Sequence, residues 1–257
     1  MLVIPPGWKI TERSKNPLDR IQVKCVDSKG RPQYIYHPLW VALTAQLKFK
    51  RFCRFSGVIK KISRSASTDP LDSLIKLMLS TNIRVGSDKY AEDNSSFGVC
   101  TLLKKHVKDR GTHVELKFKG KSGKEHQVKV SREPHLSFIR SKVSEAKKTS
   151  TKRLFPSGTA ERVRARFKKM MGKDYNPKDL RTYNANSILY RELKKEPGEK
   201  PKKELLAAIN RTSEFLHHTP SVCRSNYLSP EFMELWTKNP KKVHSSSFGE
   251  IIKNINS

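Results

Sequence analysis

Acidic residues are scarce in this chain. Only 24 Asp+Glu stand against 53 Lys+Arg, for a formal net charge of +29 over 257 residues. Self-repulsion on that scale opposes a compact fold unless a polyanion neutralises it. Apolar content is also low, at 35%, yet too high for a wholly disordered chain. Cysteine is sparse: Cys25, Cys53, Cys100 and Cys223 lie far apart with no C-x-x-C pair. That spacing argues against a zinc site and against a disulfide framework, and it fits a reducing compartment. No apolar run approaches the ~20 residues of a membrane span. The opening MLVIPPGWKI has no basic region followed by an apolar core, so it does not read as a secretory signal. The expectation is an intracellular, non-secreted protein with no membrane association and no metal.

What is abundant is positive charge, and it runs the whole length of the chain rather than sitting in one tail. Nucleic acid is the first candidate partner, because each neutralised phosphate releases counterions. A coating protein without chemistry would satisfy this composition equally well. The pattern of elements predicts an α+β fold. IQVKC and QYIYH are β-prone, and DSKGRP supplies the turn between them. From Pro38 the pattern turns helical, so a small β-rich module over 1–45 is expected to precede a main domain over 46–257. Asp69 and Pro70 are suited to start a helix whose Leu71, Leu74, Ile75 and Met78 share a face. Val114, Leu116 and Phe118 alternate, as do Val128 and Val130, and KGKSGK joins them into a hairpin with a basic tip. KKTSTKRLFPSG reads as an exposed loop. Beyond it, ERVRARFKKMM, KKELLAAINRTSEFL and a segment opened by Ser229 and Pro230 read as helices. The main domain is therefore expected to be mainly helical, with a three-stranded antiparallel sheet.

The stretch HHTPSVCRSNY, His217 to Tyr227, poses the chemical question. A tyrosine attacking a phosphodiester needs positive surroundings, because its hydroxyl ordinarily titrates near pH ~10. Guanidinium forks suit the charge that gathers on the non-bridging oxygens. A lysine on a hairpin tip can protonate the departing oxygen. The chain offers Arg84 in NIRVGSDKY, Lys121 in FKGKSGK, Arg181 in KDLRTYNANS, then His218 and Tyr227. Taken one at a time, Arg84 reads equally as a phosphate contact or a surface charge. Lys121 is one lysine among many, and His218 suits a helix cap or a buried polar group.

KDLRTYNANS, HHTPSVCRSNY, NIRVGSDKYAEDNSSFGVCTLL and FKGKSGKEH together resemble type IB DNA topoisomerases, in particular their small poxvirus-like and bacterial-like branch. GRPQYIYHPLW and IPPGW look like that family's N-terminal module. The resemblance implies that Tyr227 forms a 3′-phosphotyrosyl link to one strand of double-stranded DNA. It implies that Arg84 and Arg181 stabilise the phosphorane, that His218 bonds a non-bridging oxygen, and that Lys121 is the general acid. It also implies no ATP, no metal, no other cofactor and a monomer. Gln33, Tyr34 and Tyr36 match a DNA-contacting stretch, though they also fit a plain amphipathic strand, and Asn186, five residues after Arg181, is expected to help at the active site as a DNA-binding residue. Relatives carry strand-rich sequence before IPPGW, so the front module is expected to be truncated. Tyrosine recombinases share the nine-residue step from histidine to tyrosine. They usually carry H-x-x-R where this chain has KDLR with Lys178, which favours the topoisomerase. A non-catalytic basic DNA-binding protein is the remaining alternative.

Overall fold

A computed structural model describes residues 3–256. The protein is α+β, and the chain divides into two units, the first ending at Arg51 and the second starting at Phe52. The division falls inside a long helix rather than at 45/46. No proline interrupts that helix after its first residue, so composition does not mark where the packing changes.

In the first unit, β1 (Lys9–Arg13), β2 (Ile21–Val26) and β3 (Pro32–Tyr36) form an antiparallel sheet in that order. Val23 and Cys25 of β2 point inward and are buried, with exposed Lys24 between them, the alternation a half-buried strand requires. The β2–β3 turn is held by Asp27. Its carboxylate accepts from the Lys29 and Arg31 amides, the Arg31 side chain and Gln33 Nε2. β1 escaped the sequence reading because every residue in it is exposed, leaving no apolar alternation to detect.

Helix α1 (Pro38–Val58) carries the division between the units. It is followed by α2 (Lys60–Arg64), α3 (Pro70–Thr81) and α4 (Asp88–Asn94). Asp69 caps α3 by accepting from Leu71 N at 2.7 Å, and Pro70 stands at its first turn, as expected. β4 (Val107–Asp109), β5 (Val114–Lys119) and β6 (Glu125–Val130) make the second antiparallel sheet. The remaining helices are α5 (His135–Lys148), α6 (Thr159–Met171), α7 (Lys178–Leu193), α8 (Pro201–Phe215), α9 (Pro220–Asn226), α10 (Pro230–Lys238), α11 (Pro240–Ser245) and α12 (Phe248–Asn256).

The expected exposed loop KKTSTKRLFPSG is only partly exposed. Leu154 and Phe155 are buried, Arg153 bridges to Leu103, and Leu154 N donates to Leu102 O. Two apolar side chains outweigh the polar composition around them once a neighbouring backbone pairs with the segment.

The second unit has two apolar cores. One gathers α3, β5 and α6 residues such as Leu74, Leu116 and Phe167, and ends at Leu180. The other gathers α8 to α12 residues such as Ile209, Phe232 and Trp236, and includes Ala185, Leu189 and Leu193. α7 therefore leaves one core and enters the other. Arg181 sits on it just after Leu180, where the two cores meet.

Candidate active site

Arg84 follows α3 immediately. α3 stops at Asn82, whose left-handed backbone (φ 60°) accepts the cap role, and Ile83 and Val85 are buried on either side of the arginine. The Arg84 and Val85 carbonyls accept from Val99 N and Cys100 N at 2.8 and 2.9 Å. Gly98 allows this approach. A Cβ there would lie inside 3.0 Å of Gly86 N, Gly86 Cα and Arg84 O. Its φ of −145° suits any residue, so space and not conformation demands the glycine. Arg84 thus projects from a backbone held on both sides.

Arg181 comes from the first turn of α7 and is 2% exposed. One terminal nitrogen, Nη2, donates to Leu216 O at 2.9 Å and to His218 Nε2 at 2.7 Å. Its Nε and Nη1 are buried with no hydrogen-bond partner. Buried donors left unpaired are rare and costly, and these two nitrogens are suited to donate to the oxygens of an anion. Burial, and then the like charge of Arg84, bring Arg181 down to about 10.

His218 and Tyr227 bracket the short helix α9, which Thr219 caps and Pro220 opens. Their rings lie 4.8 Å apart, centre to centre. Arg84 Nη2 donates to Tyr227 Oη at 3.1 Å and approaches His218 Nε2 at 3.4 Å. The Arg181 guanidinium lies 5.6 Å from the Tyr227 ring centre. Burial opposes ionisation of the Tyr227 phenol, but Arg84 and then Arg181 outweigh it, and its pKa falls below the ordinary value. Guanidinium groups only donate, so His218 Nε2 accepts here and the ring is neutral with its proton on Nδ1. Burial, followed by the charges of Arg181 and Arg84, pushes His218 down to about 3.

Four of the five expected residues, separated by up to 143 positions, therefore meet at one point. Lys121 stands apart. It lies at the exposed tip between β5 and β6, where Gly120 N donates to Lys124 O and Ser122 and Gly123 take positive φ. Among the described residues its ammonium makes no hydrogen bond or ion pair.

The model of the catalytic core of eukaryotic DNA topoisomerase I matches residues 44–246. The chain is 30% identical over 270 residues to a DNA topoisomerase 1B of Acanthamoeba polyphaga mimivirus, covering 93% of this chain and 79% of that relative. It is likewise 30% identical over 224 residues to the DNA topoisomerase 1B of Vaccinia virus (strain Copenhagen), covering 81% and 70%. A Monkeypox virus DNA topoisomerase I matches to the same extent. The chain belongs to the type IB DNA topoisomerase family.

For a type IB topoisomerase, DNA is the substrate, and its 53 Lys+Arg supply the phosphate attraction. No helix among the described residues is long and apolar enough to cross a membrane. Tyr34 and Tyr36 of β3 are exposed on one face, their rings 6.4 Å apart, alongside Lys24 of the paired strand. Gln33 points the other way and is tied to Asp27 through Nε2 at 3.0 Å.

Asn186 is not placed as a DNA contact. It is fully buried, its Nδ2 donates to Tyr227 O and Thr182 O at 2.8 Å, and its Oδ1 accepts from Ser229 N at 2.9 Å. It clamps the backbone that carries the tyrosine, one turn of α7 away from Arg181. Gly98, His126 and His217 were not singled out from the sequence. Gly98 carries no local turn signal, and His126 comes into the site region only through tertiary packing, where it meets His217.

Proposed function

We propose that this enzyme relaxes supercoiled DNA through a transient single-strand break. Tyr227 Oη attacks the scissile phosphorus, forming a 3′-phosphotyrosyl bond as the phosphorus–O5′ bond breaks. The tyrosine gives up its proton to solvent, and Lys121 supplies one to O5′. The observation that carries this reading is the 3.1 Å contact from Arg84 Nη2 to Tyr227 Oη, with His218 Nε2 shared between two guanidiniums.

A phosphate entering this space accepts from Arg181 and Arg84 and draws both guanidiniums, the Nη2 of Arg181 included, onto its oxygens. Nε2 of His218 is then released from its two donors. The anion favours the Nε2–H tautomer, which donates to a non-bridging oxygen. The nicked duplex rotates and the 5′-hydroxyl attacks the phosphotyrosine, re-forming the phosphorus–O5′ bond as the phosphorus–Oη bond breaks; Lys121 recovers its proton and Tyr227 takes one back from solvent. The ester conserves the energy of the broken bond, so the cycle uses no ATP. Arg84 and Arg181 supply the positive charge that a metal supplies in other phosphoryl-transfer sites. Tyr34 and Tyr36 contact the duplex, and the enzyme works as a monomer.

The test is relaxation of negatively supercoiled plasmid in EDTA without ATP, beside Tyr227→Phe. Relaxation and a covalent DNA adduct are expected for the unaltered protein only. Activity in the variant, or an absolute need for magnesium or ATP, refutes the scheme.

A further inference from the structure

Lys121 presents a geometric problem. A general acid must stand within hydrogen-bond reach of the oxygen it protonates, yet this lysine is exposed on a five-residue loop. It also has no partner of its own among the described residues. Whatever holds the tip in place must act on the loop rather than on the ammonium.

The side chain beneath the loop is His126. It occupies the β6 position opposite Phe118 and is 5% exposed. By the alternation of β6 an apolar residue would belong there. Its ring stacks on Phe118 at 4.9 Å with an interplanar angle of 10°, and its other neighbour is the His217 ring at 4.2 Å. Gly120, the residue before Lys121, rests directly on it: a Cβ at 120 would fall inside 3.0 Å of His126 Nε2 and Cδ2. The Gly120 backbone (φ −99°) suits any residue, so the ring alone requires the glycine.

His217 is the opposite end of this contact. It takes a left-handed backbone (φ 53°) between Leu216, whose carbonyl accepts from Arg181, and His218. One continuous line of contacts thus runs from the loop base through His126 to the backbone that carries His218.

We propose that His126 is a positioning residue for Lys121: its ring, wedged between Gly120 and His217, holds the hairpin tip in register with the Arg181, His218 and Tyr227 cluster. The inference rests on Lys121 being the general acid. It adds the element that aims it.

A leaving group that needs no proton isolates this role. A cleavage site is first mapped on a duplex by trapping the covalent adduct. The same duplex is then made with sulfur replacing the bridging 5′ oxygen, because a thiolate departs unprotonated. Single-turnover cleavage is measured for the full chain with Lys121→Ala, His126→Ala, His126→Phe and Gly120→Ala.

On the oxygen duplex, Lys121→Ala is expected to lose roughly 10²–10⁴-fold, the usual share of general acid catalysis. His126→Ala and Gly120→Ala are expected to lose about 10- to 100-fold, as for a displaced catalytic group. All three recover on the sulfur duplex. His126→Phe keeps the ring and cleaves both duplexes near the unaltered rate. A loss in His126→Ala that persists with sulfur overturns the proposal, as does unimpaired cleavage of the oxygen duplex. Should a melt show His126→Ala unfolded, Gly120→Ala decides, since it displaces the same ring from the other side. If sulfur fails to rescue Lys121→Ala itself, the general-acid reading falls, and this inference falls with it.

Discussion

Replacing Asn186 by alanine probes how the nucleophile is held. Three hydrogen bonds leave with the amide, to Thr182 O, Tyr227 O and Ser229 N. The first loss is cheap, because the Thr182 carbonyl lies one helical turn back and keeps its backbone partner. The other two strand buried groups: Ser229 is fully buried and Tyr227 is 3% exposed. Each orphaned buried group costs about 1–3 kcal/mol, so the pair costs about 2–6 kcal/mol. Water admitted to the vacated space moves the figure toward the low end. For a chain of this size that lowers the melting temperature by at least about 4 °C. Activity should suffer at temperatures where the variant is still folded, because the freed carbonyl is that of Tyr227 itself. Thermal melting and single-turnover cleavage at 25 °C measure the two effects. A melting temperature within about 1 °C of the parent, or full cleavage activity in a folded variant, refutes the clamp.

Gly98→Ala forces a methyl against the Arg84 and Gly86 backbone, and overpacking of this kind costs about 1–3 kcal/mol. Plasmid relaxation should fall more than stability does, since Arg84 moves, and a variant as active as the parent would remove Gly98 from the account of the site. In the pH profile of kcat/KM, cleavage should rise through a Tyr227 pKa below the ordinary tyrosine value. It should then level off, since the guanidiniums stay protonated. A rise that continues unbroken beyond pH ~11 is incompatible with a lowered Tyr227 pKa.

The α+β organisation was legible where local chemistry speaks plainly. Asp69 and Pro70 announce α3, Ser229 and Pro230 announce α10, and the Val114 to Val130 alternation announces the hairpin. β1 was illegible because all its side chains are exposed. Leu154 and Phe155 were misread because their burial depends on a backbone pairing made about fifty residues away. Among the site residues, Arg84, Lys121, Arg181, His218 and Tyr227 were singled out as a set by the resemblance to type IB topoisomerases, since each read alone suits an ordinary surface or capping role. Asn186 was singled out too, but its clamp on the Tyr227 backbone was illegible, since nothing local tells a buried amide from an exposed one.

By itself the sequence determined the charge that draws the protein to DNA, the helix starts, and the residue types able to perform the chemistry, because these are properties of side chains and their near neighbours. Only the tertiary structure decided that Arg84 reaches Tyr227 Oη, that Arg181 is buried with two donors left free, that His218 accepts rather than donates, and that His126 lies beneath the lysine loop. Each of those depends on distances between residues remote in the chain, which the packing of two cores around α7 sets.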